Sequence, residues 1–326
     1  MTYRGAVSER RRRVAGSPAL RLAVLVTALC AFGLWSTWRV FVRTVAGQRV
    51  DQLAFIGALH GRTRLWRYAE QVLDPVSVGY VVVVLLLTAG IAVARRRWWM
   101  AVQVAVLMAG ATLTTQLLKY EVLYRPHLGT WPHYGNTLPS GHTTVAAAAS
   151  ASLLFVVAPR ARPLVAVLGA LYTGVTGWST LIGQWHRPSD AVAAVFVVTA
   201  WFALACGFMV AVPAGASTAT TSTPVTRPRG AADVVRLGLT VLAVVAVAVA
   251  GAVLGALWSG TGVPGTRGQL LAYGGGVAAI GAASALGFAV QLGLREVAGR
   301  SADRSGDRVA TAGEGVPGAP SGSPAH

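Results

Sequence analysis

Three polar stretches hold most of the residues in this 326-residue chain that could carry out chemistry. They read KYEVLYRPH from Lys119, TLPSGHTT from Thr137 and STLIGQWHRPSD from Ser179, and long apolar segments flank them. The first stretch contains the only lysine of the chain. Ionisable side chains between hydrophobic spans are costly to keep there, so they mark functional sites by default.

The residues around Ser140 predict a binding site for an anion. Ser140 and Gly141 precede a long apolar run, which predicts that a helix begins there. The start of a helix offers unpaired N–H groups and the positive end of the helix dipole. Lys119 and Arg125 lie at the end of the preceding apolar run, where both could reach the same anion. These residues together indicate a cradle for a phosphate group.

Two histidines in these stretches suit phosphoryl transfer. His142 lies at the start of the predicted helix, and His186 precedes Asp190 by four residues. Pro188 favours the first turn of another helix, in which Asp190 could reach back to the His186 ring. A carboxylate on one ring nitrogen leaves the other nitrogen free to attack, and a second histidine can act as general acid.

The three stretches resemble the signature of the type 2 phosphatidic acid phosphatase superfamily, the membrane-embedded lipid phosphatases. That signature is a Lys followed by Arg-Pro, then Pro-Ser-Gly-His, then Ser-Arg with a downstream His and Asp. The resemblance implies that His186 attacks phosphorus to form a phosphohistidine, that Asp190 orients it and that His142 protonates the leaving group. It also implies that no metal or other cofactor is needed and that the phosphoryl oxygens are held by Lys119, Arg125, Ser140 and Gly141.

Two positions depart from the family pattern. Five residues separate Lys119 from Arg125, where the family usually has six. Thr180 stands where the signature has arginine, so one guanidinium donor is missing. Loss of one donor to a transition-state oxygen costs on the order of a hundredfold in rate. Arg187, beside the expected nucleophile, is the candidate to replace it and is included among the phosphate-binding residues.

The composition predicts an all-α protein that crosses the membrane several times. The chain is 54% hydrophobic and only 12% charged, and apolar runs of about 20 residues are long enough to span a bilayer. Eight spans are predicted, at residues 22–38, 76–94, 98–118, 142–158, 164–182, 190–212, 237–257 and 270–294. The expected fold is a polytopic helical bundle with a six-helix phosphatase core and a C-terminal transmembrane hairpin.

The segments outside these spans complete the domain organisation. A basic tail (1–18) precedes the core (19–213), a linker (214–236) leads to the hairpin (237–294), and a tail (295–326) is expected to be disordered. Within the core, helical spacing of apolar residues in the connection 39–75 predicts one or two short amphipathic helices at the membrane interface.

The distribution of positive charge predicts the orientation. The net charge is +17, but much of it lies in short arginine runs beside apolar spans, which argues against a nucleic-acid partner and for membrane lipids. With a cytoplasmic N-terminus and eight spans, roughly two thirds of the basic residues fall on the cytoplasmic side. The sequence thus predicts a cell-membrane protein with both termini cytoplasmic and the site facing outside.

The leading functional interpretation is a lipid phosphatase acting at the outer leaflet on polyprenyl diphosphate, phosphatidic acid or phosphatidylglycerol phosphate. A lipid phosphotransferase is the first alternative. The second is a non-catalytic lipid-phosphate binder or transport component, suggested by Thr180. His127 and His133, between the motifs, are expected at the surface or near headgroups. Cys30 and Cys206 fall inside apolar spans and are expected to be packing residues.

Overall fold

The computed structural model describes residues 17–73, 98–129, 135–211, 229–258 and 265–313, together with isolated positions between 83 and 94. Over this part of the chain the secondary structure is entirely helical, which confirms the predicted all-α class. The helices are α1 (Pro18–Thr37), α2 (Val45–Gly57), α3 (Leu59–Leu73), α4 (Trp98–Leu117), α5 (Gly141–Val156), α6 (Arg162–Ile182), α7 (Pro188–Ala211), α8 (Arg229–Trp258) and α9 (Thr266–Gly313). Single π-helical turns, Trp38–Val42 and Leu118–Val122, extend α1 and α4.

Six of these helices are long and apolar enough to cross a membrane: α1, α4, α6, α7, α8 and α9. They correspond to six of the eight predicted spans. The predicted span at 142–158 is α5, a shorter apolar helix of 16 residues. The predicted span at 76–94 lies outside the described residues except for isolated positions. A polytopic helical bundle is therefore confirmed.

The bundle is built around α5, which is enclosed on nearly all sides by α4, α6 and α7. Its alanine-rich sequence, Ala146 to Ala149, lets neighbouring helices approach closely, as small residues do in membrane bundles. At its C-terminal end Phe155 stacks on Phe202 of α7, with ring centroids 4.6 Å apart. This packing fixes the position of α5, and hence of its N-terminus.

The connection after α1 forms two short helices, as the apolar spacing predicts. In α3 the arginines Arg62, Arg64 and Arg67 are exposed and the opposite face packs on α6, which fits an interfacial helix. In contrast, α2 enters the protein. Thr44 caps α2 by accepting a hydrogen bond from the Gly47 N–H at 3.0 Å, and the helix packs against α9 with its polar face buried.

The helix α9 packs as part of the bundle, against α2, α6 and α7. The Tyr273 hydroxyl accepts a hydrogen bond from Trp178 Nε1 at 2.5 Å, and a Cβ at Gly276 would meet Pro188, the first residue of α7. The other helix of the hairpin, α8, exposes several valines on its surface.

The helix α9 continues to Gly313, past residue 294, because residues 295–313 keep a spacing of alanines and charged residues that helices tolerate. Residues 314–326 lie outside the described residues.

The close approach of α6 and α9 gives a test of this packing. A Cβ added at Gly169 would lie 2.3 Å from a ring carbon of Phe288, which is fully buried. At Gly174, on the same helix, the nearest atom would be the Ser284 hydroxyl at 3.6 Å, an ordinary contact. We expect Gly169→Ala to destabilise the protein by about 1–3 kcal/mol through overpacking. Gly174→Ala should be neutral or stabilising, because alanine is the better helix former.

The measurement is the thermal unfolding midpoint of each variant in detergent. Equal midpoints for the two variants would contradict the close α6–α9 contact.

Candidate active site

Ser140 ends the loop before α5 and caps that helix. Its side chain accepts hydrogen bonds from the Thr143 N–H at 3.4 Å and from the Thr143 hydroxyl at 3.0 Å. Its own N–H donates to the carbonyl of Asp190 at 2.9 Å, which ties the second motif to the third. Ser140 is thus held from both sides and sets the direction of the first turn of α5.

Gly141 opens that first turn towards free space. A Cβ added at Gly141 would meet no atom within 4 Å. The N–H groups of Gly141 and His142 belong to the first turn of α5, where backbone donors have no intrahelical partner and the helix dipole is positive. This end of α5 has the character of an anion-binding site, as the sequence predicts.

His186 is paired with Asp190 as the four-residue offset predicts. The distance between His186 Nδ1 and Asp190 Oδ2 is 3.2 Å, and both side chains are buried. The Arg187 N–H donates to the same carboxylate oxygen at 3.0 Å, which fixes the carboxylate in the first turn of α7. With its proton on Nδ1 facing Asp190, the ring presents an unprotonated Nε2 that can act as a nucleophile.

The rings of His142 and His186 come together from separate elements. Their centroids lie 6.3 Å apart at an interplanar angle of 64°. The Trp185 ring packs against His142 with centroids 5.2 Å apart, which restricts the orientation of that imidazole. Groups within hydrogen-bonding reach of one reacting centre can share its proton transfers. The separation of the two rings suits one phosphoryl group in contact with both.

The turn that carries His186 is fixed by backbone hydrogen bonds to Thr180. The carbonyl of Thr180 accepts from the N–H groups of Trp185 at 3.0 Å and His186 at 3.2 Å. The Thr180 hydroxyl donates to the carbonyl of Gly177 at 2.8 Å, and the side chain is fully buried. Thr180 therefore serves the α6 backbone, and its side chain supplies no donor to an anion.

Arg187 is buried beside the histidine pair, with every guanidinium nitrogen engaged. Its Nε and Nη2 donate to Gln52 Oε1 at 3.2 and 3.1 Å, and its Nη1 donates to the Thr137 hydroxyl at 3.2 Å. The guanidinium carbon lies 5.3 Å from the centroid of the Phe55 ring. The direction of Arg187, which the sequence does not determine, is set by α2.

Arg125 is the second buried guanidinium of the site. It is 6% exposed, and its Nη1 has no hydrogen-bond partner among the described residues. Burial lowers the pKa of Arg125, as does the nearby charge of Arg187, while Asp51 and Asp190 act in the opposite direction. A buried polar atom without a partner calls for an explanation. An anion bound between α5 and His186 would supply one.

Lys119 lies at the C-terminal end of α4, within the π-helical turn that follows it. The Leu123 N–H donates to the Leu118 carbonyl at 2.8 Å across this turn, an i→i+5 bond. The Lys119 ammonium lies 5.5 Å from the centroid of the Tyr120 ring, and its backbone carbonyl accepts from Asn136. Because a π turn changes the angular spacing of side chains, the count of five residues before Arg125 does not decide whether Lys119 reaches the site.

His127 is exposed, and His133 lies outside the described residues.

Asp51 of α2 contacts the site, although the sequence pattern around it does not single it out. Its carboxylate accepts from the Ser189 N–H at 3.2 Å and from the Ser189 hydroxyl at 2.6 Å. Burial, followed by the negative charge of Asp190, raises the pKa of Asp51 to about 6, although Arg187 acts in the opposite direction. Gln52 and Thr137 were also missed. The available signal was the polar face of Gln48, Asp51 and Gln52 at helical spacing, which more often faces solvent.

Among the described residues, no group of three or more His, Cys, Asp and Glu side chains is arranged to hold a metal ion. Metal independence stays a prediction.

The raised pKa of Asp51 predicts a pH-dependent contribution to stability. The folded protein binds the Asp51 proton more tightly than the unfolded chain, so this contribution is fully present below about pH 4 and is lost as the pH rises through about 6. Asp51→Asn removes this titration. We expect the variant to gain stability relative to wild type by about 2–3 kcal/mol between about pH 4 and pH 7. The measurement is the unfolding free energy across this range, and parallel curves for the two proteins would contradict it.

Comparison with known protein families identifies the region that carries this site. Residues 100–213 match the model of the PAP2 superfamily, about a third of the chain, from α4 to the end of α7. The matched region contains all three motifs. Comparison with curated proteins and with solved structures gives no significant match. Residues 100–213 of this chain are therefore similar to the PAP2 superfamily, the type 2 phosphatidic acid phosphatases.

Proposed function

We propose that the protein hydrolyses a phosphate monoester or diphosphate of a membrane lipid through a phosphohistidine on His186. The observation that carries the proposal is the convergence of His142 and His186, with ring centroids 6.3 Å apart, beside the unpartnered Nη1 of Arg125. The match of residues 100–213 to the PAP2 superfamily supports phosphatase activity on phosphate esters in a membrane protein.

In the first step, Nε2 of His186 attacks phosphorus and the bond from phosphorus to the leaving oxygen breaks. The proton on Nδ1 stays in its hydrogen bond to Asp190, which stabilises the positive charge that develops on the ring. His142, whose protonated form is favoured by the negative charge of the bound phosphate, donates its proton to the leaving oxygen. The products are the lipid alcohol, or the lipid monophosphate from a diphosphate, and the phosphorylated histidine.

In the second step, His142 is neutral and accepts a proton from water. The water oxygen attacks phosphorus, the phosphorus–nitrogen bond to His186 breaks, and inorganic phosphate leaves. Each histidine returns to its starting protonation state. The phosphoryl oxygens are held throughout by the N–H groups of Gly141 and His142 and by the guanidinium groups of Arg125 and Arg187, with Lys119 as a further positive charge.

An apolar cavity beside the site favours a lipid substrate. It measures about 60 Å³ and lies between α3 and α6, lined by Leu65, Tyr68, Ala69, Val72, Val175, Trp178, Ser179 and Ile182. Trp66 of α3 meets Trp185 edge to face with ring centroids 5.9 Å apart, so α3 reaches the residue that packs on His142. The cavity has room for a few carbon atoms of a chain that continues into the bilayer.

Polyprenyl diphosphate, phosphatidic acid and phosphatidylglycerol phosphate are the candidate substrates. The six apolar spans indicate a multi-pass membrane protein. Location in the cell membrane, cytoplasmic termini and an outward-facing site form part of the proposal, supported by the positions of the arginine runs. The substrate would then be a lipid of the outer leaflet.

Removal of either histidine tests the mechanism directly. His186→Ala should reduce phosphate release from lipid phosphates to background, and His142→Ala should lower kcat by about 10²–10⁴-fold through loss of the general acid. The control is His60→Ala, which removes an exposed imidazole from α3. The measurement is phosphate release by purified protein in detergent with a chelator present.

The outcomes separate the proposal from its alternatives. Normal turnover by His186→Ala would exclude the mechanism. Transfer of the phosphoryl group to an added lipid or sugar in preference to water would favour a phosphotransferase. Lipid-phosphate binding without a phosphorylated protein intermediate would favour a non-catalytic binder.

Filling the apolar cavity tests whether it binds part of the lipid tail. Val175→Phe should fill it and lower kcat/KM for a long-chain lipid phosphate by about tenfold or more, while kcat/KM for a soluble aryl phosphate stays near the wild-type value. Leu171→Phe adds the same side chain to an exposed position of α6 and serves as the control. An equal loss for both substrates would place the effect of Val175→Phe on the catalytic groups, against a tail-binding role for the cavity.

A further inference from the structure

We propose that Gln52 is a positioning residue that holds Arg187 as a phosphate-binding guanidinium, in place of the arginine that the family signature has at position 180. The inference rests on the proposed function in one respect, that the anion bound beside His186 is a phosphoryl group. It assigns a role to α2, which lies outside residues 100–213, the region matched by the family model.

The hydrogen bonds of Arg187 show how Gln52 can act. A guanidinium carries five N–H groups. Two of them point to Gln52 Oε1 and one to the Thr137 hydroxyl, so one N–H on Nη1 and one on Nη2 are left for a further acceptor. The edge formed by Nε and Nη2 is thus held by Gln52. The remaining N–H groups on Nη1 and Nη2 can donate to a phosphoryl oxygen.

The chemical nature of Gln52 suits this role. Its amide oxygen is a neutral acceptor, so it orients the guanidinium and leaves the positive charge uncompensated. A carboxylate at the same place would form a charge-assisted pair with Arg187 and would compete with the phosphate for it. Gln52 is 5% exposed and Arg187 is 4% exposed, so water does not weaken the hydrogen bonds between them.

The rest of α2 keeps Gln52 in register with the catalytic turn. Asp51 accepts two hydrogen bonds from Ser189, two residues after Arg187. The Phe55 ring lies against the guanidinium, and the Phe55 carbonyl accepts from Gln184 Nε2 at 2.6 Å. One helix therefore contacts the turn before and after His186 and Arg187.

The substitution at position 180 explains why a second source of a guanidinium is needed. Thr180 is fully buried, and its hydroxyl is bonded within α6. The guanidinium of Arg187 supplies the missing positive charge from the residue next to His186. Such a replacement needs a new support, since a long side chain gains binding energy only when its geometry is fixed beforehand.

The test is a double-mutant cycle on phosphate binding. The dissociation constant of inorganic phosphate is measured by titration calorimetry in detergent for wild type, Gln52→Ala, Arg187→Ala and the double variant. We expect Gln52→Ala to weaken phosphate binding about tenfold, Arg187→Ala to weaken it by at least as much, and the double variant to match Arg187→Ala. Such non-additivity is the signature of one residue acting through the other.

Two further variants complete the experiment. Arg49→Ala, on the same helix, removes hydrogen bonds to the carbonyls of Leu257 and Trp258 and should leave phosphate binding unchanged. Gln52→Glu has the same shape but introduces a carboxylate, so it should weaken phosphate binding while the thermal midpoint stays close to wild type. If Gln52→Ala does not fold, phosphate binding by Gln52→Glu tests the role of Gln52 in its place.

Additive losses in the double variant, or wild-type phosphate binding by Gln52→Ala or Gln52→Glu, would overturn the inference. The outcome is distinguishable from failure of the proposed function. If His186→Ala still releases phosphate but Gln52 and Arg187 are coupled in binding, the catalytic mechanism fails and the inference stands. If hydrolysis depends on His186 but the two residues are uncoupled, the inference alone fails.

Discussion

Burial of charge inside an apolar bundle is the constraint on which the site depends. Two arginines, Arg125 and Arg187, and two aspartates, Asp51 and Asp190, lie within the protein where water is largely excluded. An isolated charge in such surroundings is expensive, and a charge paired by hydrogen bonds is tolerated. Three of the four make hydrogen bonds to their neighbours, whereas Nη1 of Arg125 has no partner among the described residues. The two positive and two negative charges of this cluster offset one another without substrate. Nη1 of Arg125 can still donate a hydrogen bond to an anion.

This constraint makes elements outside the motifs part of the candidate site. The three motifs supply the histidines and the helix N-terminus, but α2 supplies the acceptors that orient Arg187 and hold Ser189. In turn α9 packs behind α2, where a Cβ at Gly57 would meet the Gln269 carbonyl, and it also covers the start of α7. The C-terminal hairpin is therefore a support for the site, through a chain of rigid helices.

The two departures from the family pattern show that the sequence position of a charged residue and its position in the structure need not correspond. Thr180 removes a guanidinium from the sequence position where the signature has one, and Arg187 brings one to the same neighbourhood from the other side of the nucleophile. Likewise, the shortened interval between Lys119 and Arg125 coincides with a π turn, in which residue count and direction are no longer related as in an α-helix. Both cases concern side chains that the proposed function assigns to the phosphate, and in both the direction of the side chain depends on the fold as well as on the residue count.

The sequence by itself determined the features that depend on local periodicity and local spacing. Long apolar runs predicted the spans, Ser140 before an apolar run predicted the start of α5, and a four-residue offset at a helix start predicted the pairing of His186 with Asp190. The tertiary structure alone decided which polar faces meet. Gln48, Asp51 and Gln52 have the spacing of a solvent-facing surface, and they became buried because α9 and α7 enclose α2. Helix periodicity predicts that one face of α2 is polar, but it does not predict what that face packs against. That is fixed by contacts between residues far apart in the chain, here Gln52 with Arg187 and Asp51 with Ser189.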